Sequence, residues 1–346
     1  MDHDLIFVAV IIFAALAFDY TNGFHDAANS IATIVSTRVL TPKQAVIWAA
    51  FFNFAAFFLF KHEVAKTVGV GMIDIHFIDN TVIFAGLLGT IAWNLTTWYL
   101  GLPTSSSHAL IGGYAGAAIA KAGIQVIIAK GWTKTILFIV LAPTMGMILG
   151  LIFISLTTWL VYKNPPSQIN KWFRGLQLVS AALYSLGHGG NDAQKTMGII
   201  TGVIIIYMKS KGQISADFDP KSFDIPVWVA ISAYAAISLG TLSGGWKIVE
   251  TMGQKITKLR PIEGFCAETA SAVSIFFATH LGVPVSTTHV ITGAISGVGA
   301  AKRLSAVRWG VTLRIVWAWF LTIPLAGIFA FASYKIMLLV SPFLHP

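Results

Sequence analysis

The chain has 346 residues, of which 56% are hydrophobic and only 11% charged, and its mean hydropathy is +0.76. A soluble domain of this composition would expose apolar atoms over most of its surface, so the composition excludes that class and indicates an integral membrane protein. The net charge of +9 does not indicate nucleic-acid binding, because the basic residues lie in short loops between apolar runs. The expected surroundings are membrane lipid.

Ten apolar runs follow one another along the chain, most of them near the length of about 20 residues that a membrane-spanning helix needs. Five precede a polar connector at residues 163–174 and five follow it. We therefore predict an all-α integral membrane protein of about 10–12 transmembrane helices, with transmembrane repeats at residues 1–162 and 175–346. The runs cover approximately residues 4–36, 43–60, 78–100, 103–122 and 133–161, then 175–208, 226–244, 262–281, 284–301 and 307–340.

A polar motif, GFHDAAN at residues 23–29, lies inside the first run. A related motif, GGNDAQK at residues 189–195, lies inside the sixth run, and Asp26 and Asp192 occupy the same position in the two. An ionisable group at membrane depth is costly and by default marks a functional pathway. Two such groups in matching positions indicate a duplicated site, in which Asp26, Asn29 and Asp192 would suit a proton, sodium or a divalent cation.

A second motif is also duplicated. Residues 101–108 (GLPTSSSH), followed by Gly112 and Gly116, align without a gap with residues 282–289 (GVPVSTTH), followed by Gly293 and Gly297. Because each half has an odd number of runs, strict alternation would insert the second half upside down relative to the first. This is the inverted repeat of many secondary transporters.

The two hydroxyl-rich turns and the two Asp motifs are the places where we expect the helices to unwind, because irregular backbone at membrane depth must line a cavity or be buried in protein. Helix N-termini beside neutral hydroxyl groups suit an oxyanion, although such hydroxyls more often bond within their own helix. The candidate anion ligands are Ser105, Ser106, Ser107, Ser286, Thr287 and Thr288 from the turns, and His25, Asn191 and Lys195 from the Asp motifs.

Other polar residues leave alternatives open. Lys195 either balances Asp192 or attracts the anion, and His108 and His289 either brace the turns or bind directly. Glu268, midway along its run, is a candidate ion ligand or proton carrier.

The first and sixth runs are too long for a single straight crossing. About 33 helical residues rise ~50 Å, whereas the hydrocarbon core is ~30 Å thick. We therefore predict a break in each run, at Asn22-Gly23 and at residues 187–190, where glycine gives the backbone freedom.

The distribution of basic residues predicts the orientation. Under alternation, one side receives more Lys and Arg, so it should be cytoplasmic, with both termini outside. Residues 246–260 alternate apolar and basic residues and predict an amphipathic helix on the cytoplasmic interface, with a partner-binding helix as the alternative. Residues 209–224 are predicted to form an extramembrane loop.

The four motifs in this order resemble those of the inorganic phosphate transporter (PiT) family, over nearly the whole chain. The resemblance implies cation-driven secondary transport of inorganic phosphate, helices in inverted repeats and commonly a homodimer in a cell membrane. His25 and Lys195 replace Asn residues of the family signature, as in the bacterial low-affinity branch, which is associated with protons and with metal phosphate complexes. This branch implies a multi-pass protein of a prokaryotic plasma membrane that has no cofactor.

Three other functions compete with phosphate symport. Another tetrahedral oxyanion such as sulfate would suit the same neutral donors, although a carboxylate that accepts a proton from hydrogen phosphate favours phosphate. An intramembrane hydrolase would use Asp26 with Asp192, or a serine with His108, but duplicated hydroxyl turns have no evident catalytic purpose. A channel would move the anion only down its gradient. We therefore expect a symporter and no enzyme activity.

Overall fold

The computed structural model describes residues 3–66, 72–73, 77–215 and 218–344, and α-helices make up most of these ranges. A five-residue π-helix, Thr251–Lys255, continues the eighth α-helix. The α-helices of the described ranges are α1 (His3–Ser36), α2 (Pro42–Ala55), α3 (Asn80–Leu100), α4 (Ser106–Ala122), α5 (Ala129–Val161), α6 (Pro166–Ser210), α7 (Val227–Ser243), α8 (Trp246–Glu250), α9 (Pro261–His280), α10 (Thr287–Lys302) and α11 (Trp309–Leu344).

Several of these helices have the length and composition of membrane spans. Within the described ranges, four segments qualify, in α1, α3, α5 and α11, and a fifth forms if α7 and the segment 246–255, bent by 66°, count as one. Large apolar side chains project from their outer faces, as Ile136, Leu137 and Val140 do from α5. The fold class is confirmed, whereas the number of 10–12 spans stays a prediction.

The predicted breaks in the first and sixth runs are wrong. Both α1 and α6 are continuous through their Asp motifs and contain 34 and 45 residues. The glycines permit close packing instead: a Cβ on Gly23 would lie 2.0 Å from the carbonyl oxygen of Ile237, and one on Gly189 would lie 2.5 Å from that of Asn53. Helix packing against α7 and α2, rather than helix unwinding, therefore explains these two residues.

The predicted unwinding at the two hydroxyl turns is confirmed. The chain leaves α3 at Gly101 and re-enters a helix at Ser106, and it leaves α9 at His280 and re-enters at Thr287. In each case the two helices joined by the turn pack against each other as a hairpin.

The helices that follow these turns pack on helices of the opposite half. A Cβ on Gly116 of α4 would lie 2.0 Å from the carbonyl oxygen of Gly327 in α11, and one on Gly297 of α10 would lie 2.2 Å from that of Met147 in α5. The matching glycines of the two repeats therefore make matching contacts. The two halves are interlocked rather than side by side.

The two Asp helices run antiparallel through the centre of the molecule. Thr37, just after the end of α1, donates a 2.9 Å hydrogen bond to Gln177 near the start of α6, whereas Asn22 in the middle of α1 donates a 3.5 Å bond to Asp192 further along α6. This arrangement brings the two polar motifs together at a buried level.

The predicted amphipathic segment is helical over residues 246–255 rather than 246–260. Its apolar residues Ile248 and Met252 are buried in the core that includes Ile31 of α1, while Lys247 is exposed and Lys255 half-buried. Its apolar face thus packs on protein rather than on lipid. The predicted loop at 209–224 overlaps the end of α6 at Ser210 and includes residues 216–217, which lie outside the described ranges.

Candidate ion and anion site

The two hydroxyl-rich turns have the same backbone geometry. Gly101 and Gly282 adopt left-handed φ angles of 67° and 66°, which favour glycine, and they end α3 and α9. The next amide in each turn, Leu102 or Val283, donates to the carbonyl oxygen five residues earlier, at 2.9 Å in both cases. The gap-free alignment of the two motifs therefore corresponds to a repeated structure.

Ser105 and Ser286 cap the helices that follow the turns. The Ser105 hydroxyl accepts a 3.2 Å hydrogen bond from the amide of His108, and the Ser286 hydroxyl accepts a 3.3 Å bond from that of His289. Serine is a preferred residue at this position, since it satisfies an amide that has no acceptor within its own helix. Both hydroxyls are thus engaged in capping.

The first residues of α4 and α10 are Ser106, Ser107, Thr287 and Thr288, all of them buried. The amides of a first helical turn have no intrahelical acceptors, and the helix dipole makes this end partially positive. Two buried helix N-termini, each with two hydroxyl side chains, therefore offer donors to an anion.

Asp26, Asp192 and His188 form the centre of the site. Nε2 of His188 lies 4.0 Å from Oδ2 of Asp26 and 3.7 Å from Oδ2 of Asp192, and all three side chains are buried. The ligand atoms of these three residues lie within 4.8 Å of one another. This is a spacing at which two carboxylates and an imidazole can share one cation.

The hydrogen bonds of His188 fix its tautomer. Its Nδ1 lies 3.3 Å from Oδ1 of Asn53, and the Asn53 amide donates a 2.9 Å bond to Thr241, which leaves Oδ1 as the acceptor. Nδ1 therefore carries a proton, and Nε2, which makes no hydrogen bond within the described ranges, points at the carboxylates. With His188 in this neutral tautomer, a metal ion would be bound by three acceptor atoms, Nε2 of His188 and one oxygen each of Asp26 and Asp192. A proton on Nε2 would instead form an imidazolium between the two carboxylates.

His25 connects Asp26 to the first hydroxyl turn. Its Nδ1 lies 2.7 Å from Oδ1 of Asp26, and its Nε2 lies 3.1 Å from Thr97 and 3.3 Å from Thr104. The Ser106 hydroxyl also approaches Oδ1 of Asp26, at 3.4 Å. The Asp26 carboxylate is thus held by the adjacent His25 and by Ser106 of the first hydroxyl turn.

Lys195 connects Asp192 to both turns. Its Nζ donates to Oδ1 of Asp192 at 2.6 Å, to the Ser107 hydroxyl at 2.5 Å and to the carbonyl oxygen of Val285 at 3.2 Å. All three protons of the ammonium group are used in this way. Of the two roles left open by the sequence, the structure shows the ion pair with Asp192.

Asn29 and Asn191 contact the second turn. The Asn29 amide donates a 2.8 Å bond to the Thr288 hydroxyl. Asn191 accepts from the amide of Val285 at 3.3 Å and donates to Thr279 at 2.9 Å, so that it supports the backbone of the turn. Both residues therefore contact the second hydroxyl turn, while the cation-ligand role of Asn29 and the anion-ligand role of Asn191 stay predictions.

Glu268 of α9 lies apart from this centre. Its carboxylate accepts hydrogen bonds from Thr33 (2.5 Å), Ser180 (2.5 Å) and Gln177 (3.1 Å), residues of α1 and α6. Thr33 is seven residues beyond Asp26, which corresponds to about 10 Å along a helix. The structure thus places Glu268 on the same helix interface as the Asp pair but at another level.

His108 and His289 pack against each other. Their ring centroids are 4.8 Å apart in an edge-to-face arrangement, and His289 stacks on Trp319 at 3.9 Å. The Trp319 indole donates to the carbonyl oxygen of Pro103 in the first turn. These contacts connect the two turns, which is the geometry that the bracing role of His108 and His289 requires.

Sequence reasoning missed His188 and Asn22, treating them only as parts of flexible segments. The alignment of the two Asp motifs contained the signal, because it pairs Asn22 with His188, two polar residues at matching buried positions. It also missed Thr97, which lies before the repeated motif, and Thr104, which lies inside the motif but is aligned with Val285.

Comparison with known proteins agrees with this site. The phosphate transporter family profile matches residues 22–330. A probable low-affinity inorganic phosphate transporter of Rhizobium meliloti is 54% identical over 336 residues, which cover 96% of this chain and 98% of that protein. A protein of the same description from Bacillus subtilis is 45% identical over 339 residues, with coverages of 97% and 99%.

A solved structure described as the sodium-dependent phosphate transporter has a TM-score of 0.83 and 25% identity, and the match covers 97% of this chain and all of that one. The resemblance inferred from the four motifs is thereby confirmed. The relatives and the family are transporters and not enzymes, which removes the hydrolase from consideration. This chain is a multi-pass membrane protein that belongs to the phosphate transporter family.

Proposed function

We propose that this protein is a symporter that moves inorganic phosphate together with a cation by alternating access. The observation that carries the proposal is the arrangement at the centre of the molecule. Acceptor atoms of Asp26, His188 and Asp192 converge within 4.8 Å beside the buried N-terminus of α4, and Asn29, close to Asp26 on α1, contacts Thr288 at the N-terminus of α10. A cation and an oxyanion bound at these adjacent positions would stabilise each other.

In this proposal phosphate binds to the first-turn amides and hydroxyls of α4 and α10. Ser106, Ser107, Thr287 and Thr288 are the direct ligands, while Ser105 and Ser286 cap the helices. Lys195 changes partner from Ser107 to the anion when phosphate is bound. His25 and Asn191 hold the turns in position.

The coupling cation binds Asp26, His188 and Asp192, and Asn29 orients the second turn. The relative of known structure is described as sodium-dependent. The curated relatives are described only as low-affinity phosphate transporters, without a coupling ion. We therefore propose that the coupling cation is a proton or a sodium ion. A third alternative is a divalent metal ion that is transported together with phosphate.

Alternating access requires two arrangements of the same elements around a fixed site. The antiparallel course of α1 and α6 and the exchanged packing of α4 with α11 and of α10 with α5 support an inverted repeat, divided at the connector 163–174. In the proposed cycle, each hairpin and its partner helix rock as one unit about the Asp pair.

The orientation proposed from the sequence assigns the more basic helix ends to the cytoplasm and both termini to the outside. Arg174 donates to the carbonyl oxygen of Arg38, and Lys302 pairs with Glu263 at 2.6 Å, near the helix ends assigned to the cytoplasm. Lys211 pairs with Asp4 at 2.9 Å, near the ends assigned to the outside. The location in a prokaryotic plasma membrane and the homodimer remain part of the same proposal.

Uptake of labelled phosphate into proteoliposomes tests the function. A sodium gradient and a proton gradient are imposed separately, each with and without magnesium, and accumulation is measured against a phosphate gradient. Accumulation driven by one of the cations is expected, and uptake that never exceeds equilibrium under any gradient would indicate a channel instead. In Asp192→Asn, accumulation should be lost while the protein remains folded.

Sulfate is the second candidate substrate, because the neutral donors of the two turns would suit any tetrahedral oxyanion. Competition of labelled phosphate uptake by an excess of sulfate separates the two. Full competition would assign the site to oxyanions in general rather than to phosphate.

A further inference from the structure

Asp19 of α1 is a second buried carboxylate on the α1–α6 interface, and the proposed phosphate site does not use it. Its side chain is fully buried, and neither of its oxygens makes a hydrogen bond with any group in the described ranges. It lies seven residues before Asp26, which places it about 10 Å away along the helix. It therefore belongs to a separate level of the interface.

A buried charge without a partner is among the most unfavourable features a folded protein can contain. Lys195 is the cation in its neighbourhood, but the Nζ protons of that residue are bonded to Asp192, Ser107 and Val285. Asp19 thus requires either a proton or a bound cation to offset its charge.

The neighbours of Asp19 are oxygen atoms that also have no partner. The Asn22 carbonyl oxygen and the Thr196 hydroxyl are beside it, and the Tyr234 hydroxyl of α7 is within electrostatic range. All three atoms are buried and make no hydrogen bond in the described part of the chain.

Unpaired oxygens from three helices around a carboxylate are the ligand set of a small hard cation. A proton on Asp19 would cancel its charge but could be donated to only one of the Asn22, Thr196 and Tyr234 oxygens. A metal ion coordinates all of them at once. We propose that Asp19, Asn22, Thr196 and Tyr234 form a sodium-binding site between α1, α6 and α7, distinct from the Asp26–His188–Asp192 centre.

The position that corresponds to Asp19 in the other Asp helix is Ser185, whose hydroxyl donates to the carbonyl oxygen of Ala181 in its own helix. The site therefore occurs once and is not duplicated with the two motifs. It goes beyond the proposed function, because sodium can bind there whether or not it drives phosphate transport.

Binding of radioactive sodium to the purified full-length protein tests the site, in detergent without phosphate and with choline chloride to keep the ionic strength constant. Asp19→Asn should lose one equivalent of bound sodium per chain, whereas Asp26→Asn should retain that equivalent. The thermal unfolding midpoint of the unaltered protein should rise with sodium, and this rise should be smaller in Asp19→Asn.

Two further variants test the ligands even if Asp19→Asn folds poorly. Thr196→Val and Tyr234→Phe should each weaken the affinity for sodium about tenfold or more. Thr201→Val, which removes another buried and unpartnered hydroxyl of α6, is the matched control and should leave the affinity unchanged.

Equal sodium binding by Asp19→Asn and the unaltered protein would overturn the proposal, as would loss of all bound sodium in Asp26→Asn. An Asp19 that holds only a proton gives the first of these results. Since the measurement contains neither phosphate nor a gradient, its outcome is separate from that of the uptake experiment.

Discussion

Nε2 of His188 and Oδ2 of Asp26 lie 4.0 Å apart across the α1–α6 interface, and in the tautomer set by Asn53 both atoms are acceptors. Oδ2 of Asp192 approaches the same nitrogen at 3.7 Å. Only a positive charge among the three atoms makes this arrangement favourable. The relationship between His188 and Asp26 therefore links the geometry of the site to cation coupling.

His188→Leu removes the ligand nitrogen and keeps a buried side chain of similar size. We expect phosphate accumulation at a fixed cation concentration to fall and the cation concentration for half-maximal uptake to rise by at least about 10–100-fold, the loss that follows removal of a group supporting a metal ligand. His188→Gln, which retains an acceptor, should recover part of the activity. The measurement is uptake into proteoliposomes as a function of cation concentration.

The control is His280→Gln, because His280 is exposed at the end of α9. It should transport like the unaltered protein. Normal cation dependence in His188→Leu would contradict the assignment of His188 to the cation site.

The ion pair of Lys195 with Asp192 predicts a strong energetic coupling. Both side chains are buried, and their charged atoms are 2.6 Å apart. Lys195→Met leaves a buried carboxylate without compensation, so it should lower stability by about 3–5 kcal/mol. Asp192→Asn leaves the lysine in the same position and should also destabilise.

In the double variant Lys195→Met/Asp192→Asn, neither charge of the pair is left without its partner. Its loss of unfolding free energy should therefore be smaller than the sum of the losses in the two single variants. Unfolding in detergent followed by tryptophan fluorescence gives the coupling energy from the double-mutant cycle. Phosphate uptake should not return in the double variant, since the cation ligand and the anion contact are both absent. Additive stabilities would show that the pair is not coupled.

Gly23 and Gly202 offer a matched test of helix packing against helix unwinding. A Cβ on Gly23 would lie 2.0 Å from the carbonyl oxygen of Ile237, whereas one on Gly202 meets nothing within 4 Å. Gly23→Ala should therefore destabilise by about 1–3 kcal/mol through overpacking. Gly202→Ala should be neutral or stabilise by up to about 1 kcal/mol, because alanine is the better helix former.

Thermal unfolding of both variants in the same detergent is the measurement. If Gly23 instead gave α1 freedom to unwind, Gly23→Ala would preserve or raise stability while it altered transport. A larger loss in Gly202→Ala than in Gly23→Ala would contradict the packing of α1 on α7.

The duplicated part of the site could be predicted from the sequence. The gap-free alignment of residues 101–108 with 282–289 indicates that both turns have the same backbone conformation, as the φ angles of Gly101 and Gly282 show. The hydrogen bonds of Asn29 to Thr288 and of Ser106 to Asp26 agree with the prediction that the Asp motifs face these turns. The continuity of α1 could not be predicted in the same way. Glycine permits both a break and a close helix contact, and only the position of Ile237 decides between them.

Residues without a repeated partner were equally hard to predict. Asp19 has no acidic counterpart in the second motif, and Thr97 lies several residues before its turn. Their roles depend on which helices meet in space, which neither periodicity nor motif spacing contains.

Glu268 provides the last prediction, since its carboxylate is held by three donors on α1 and α6 and touches neither hydroxyl turn in the described ranges. If it carries a coupling proton or binds the coupling ion, Glu268→Gln should abolish accumulation driven by an imposed gradient. Exchange of internal for external labelled phosphate, which needs no net cation movement, should continue at a similar rate. Glu250→Gln, an exposed carboxylate of α8, is the control and should preserve both activities.

The two assays in Glu268→Gln separate coupling from anion binding. Loss of exchange together with accumulation would place Glu268 in substrate binding, in conflict with its separation from the turns. Preservation of both would make it a structural residue that only joins Thr33 to Ser180. Because Thr33 and Ser180 belong to the two Asp helices, selective loss of accumulation would show that the ion pathway follows their interface away from Asp26 and Asp192.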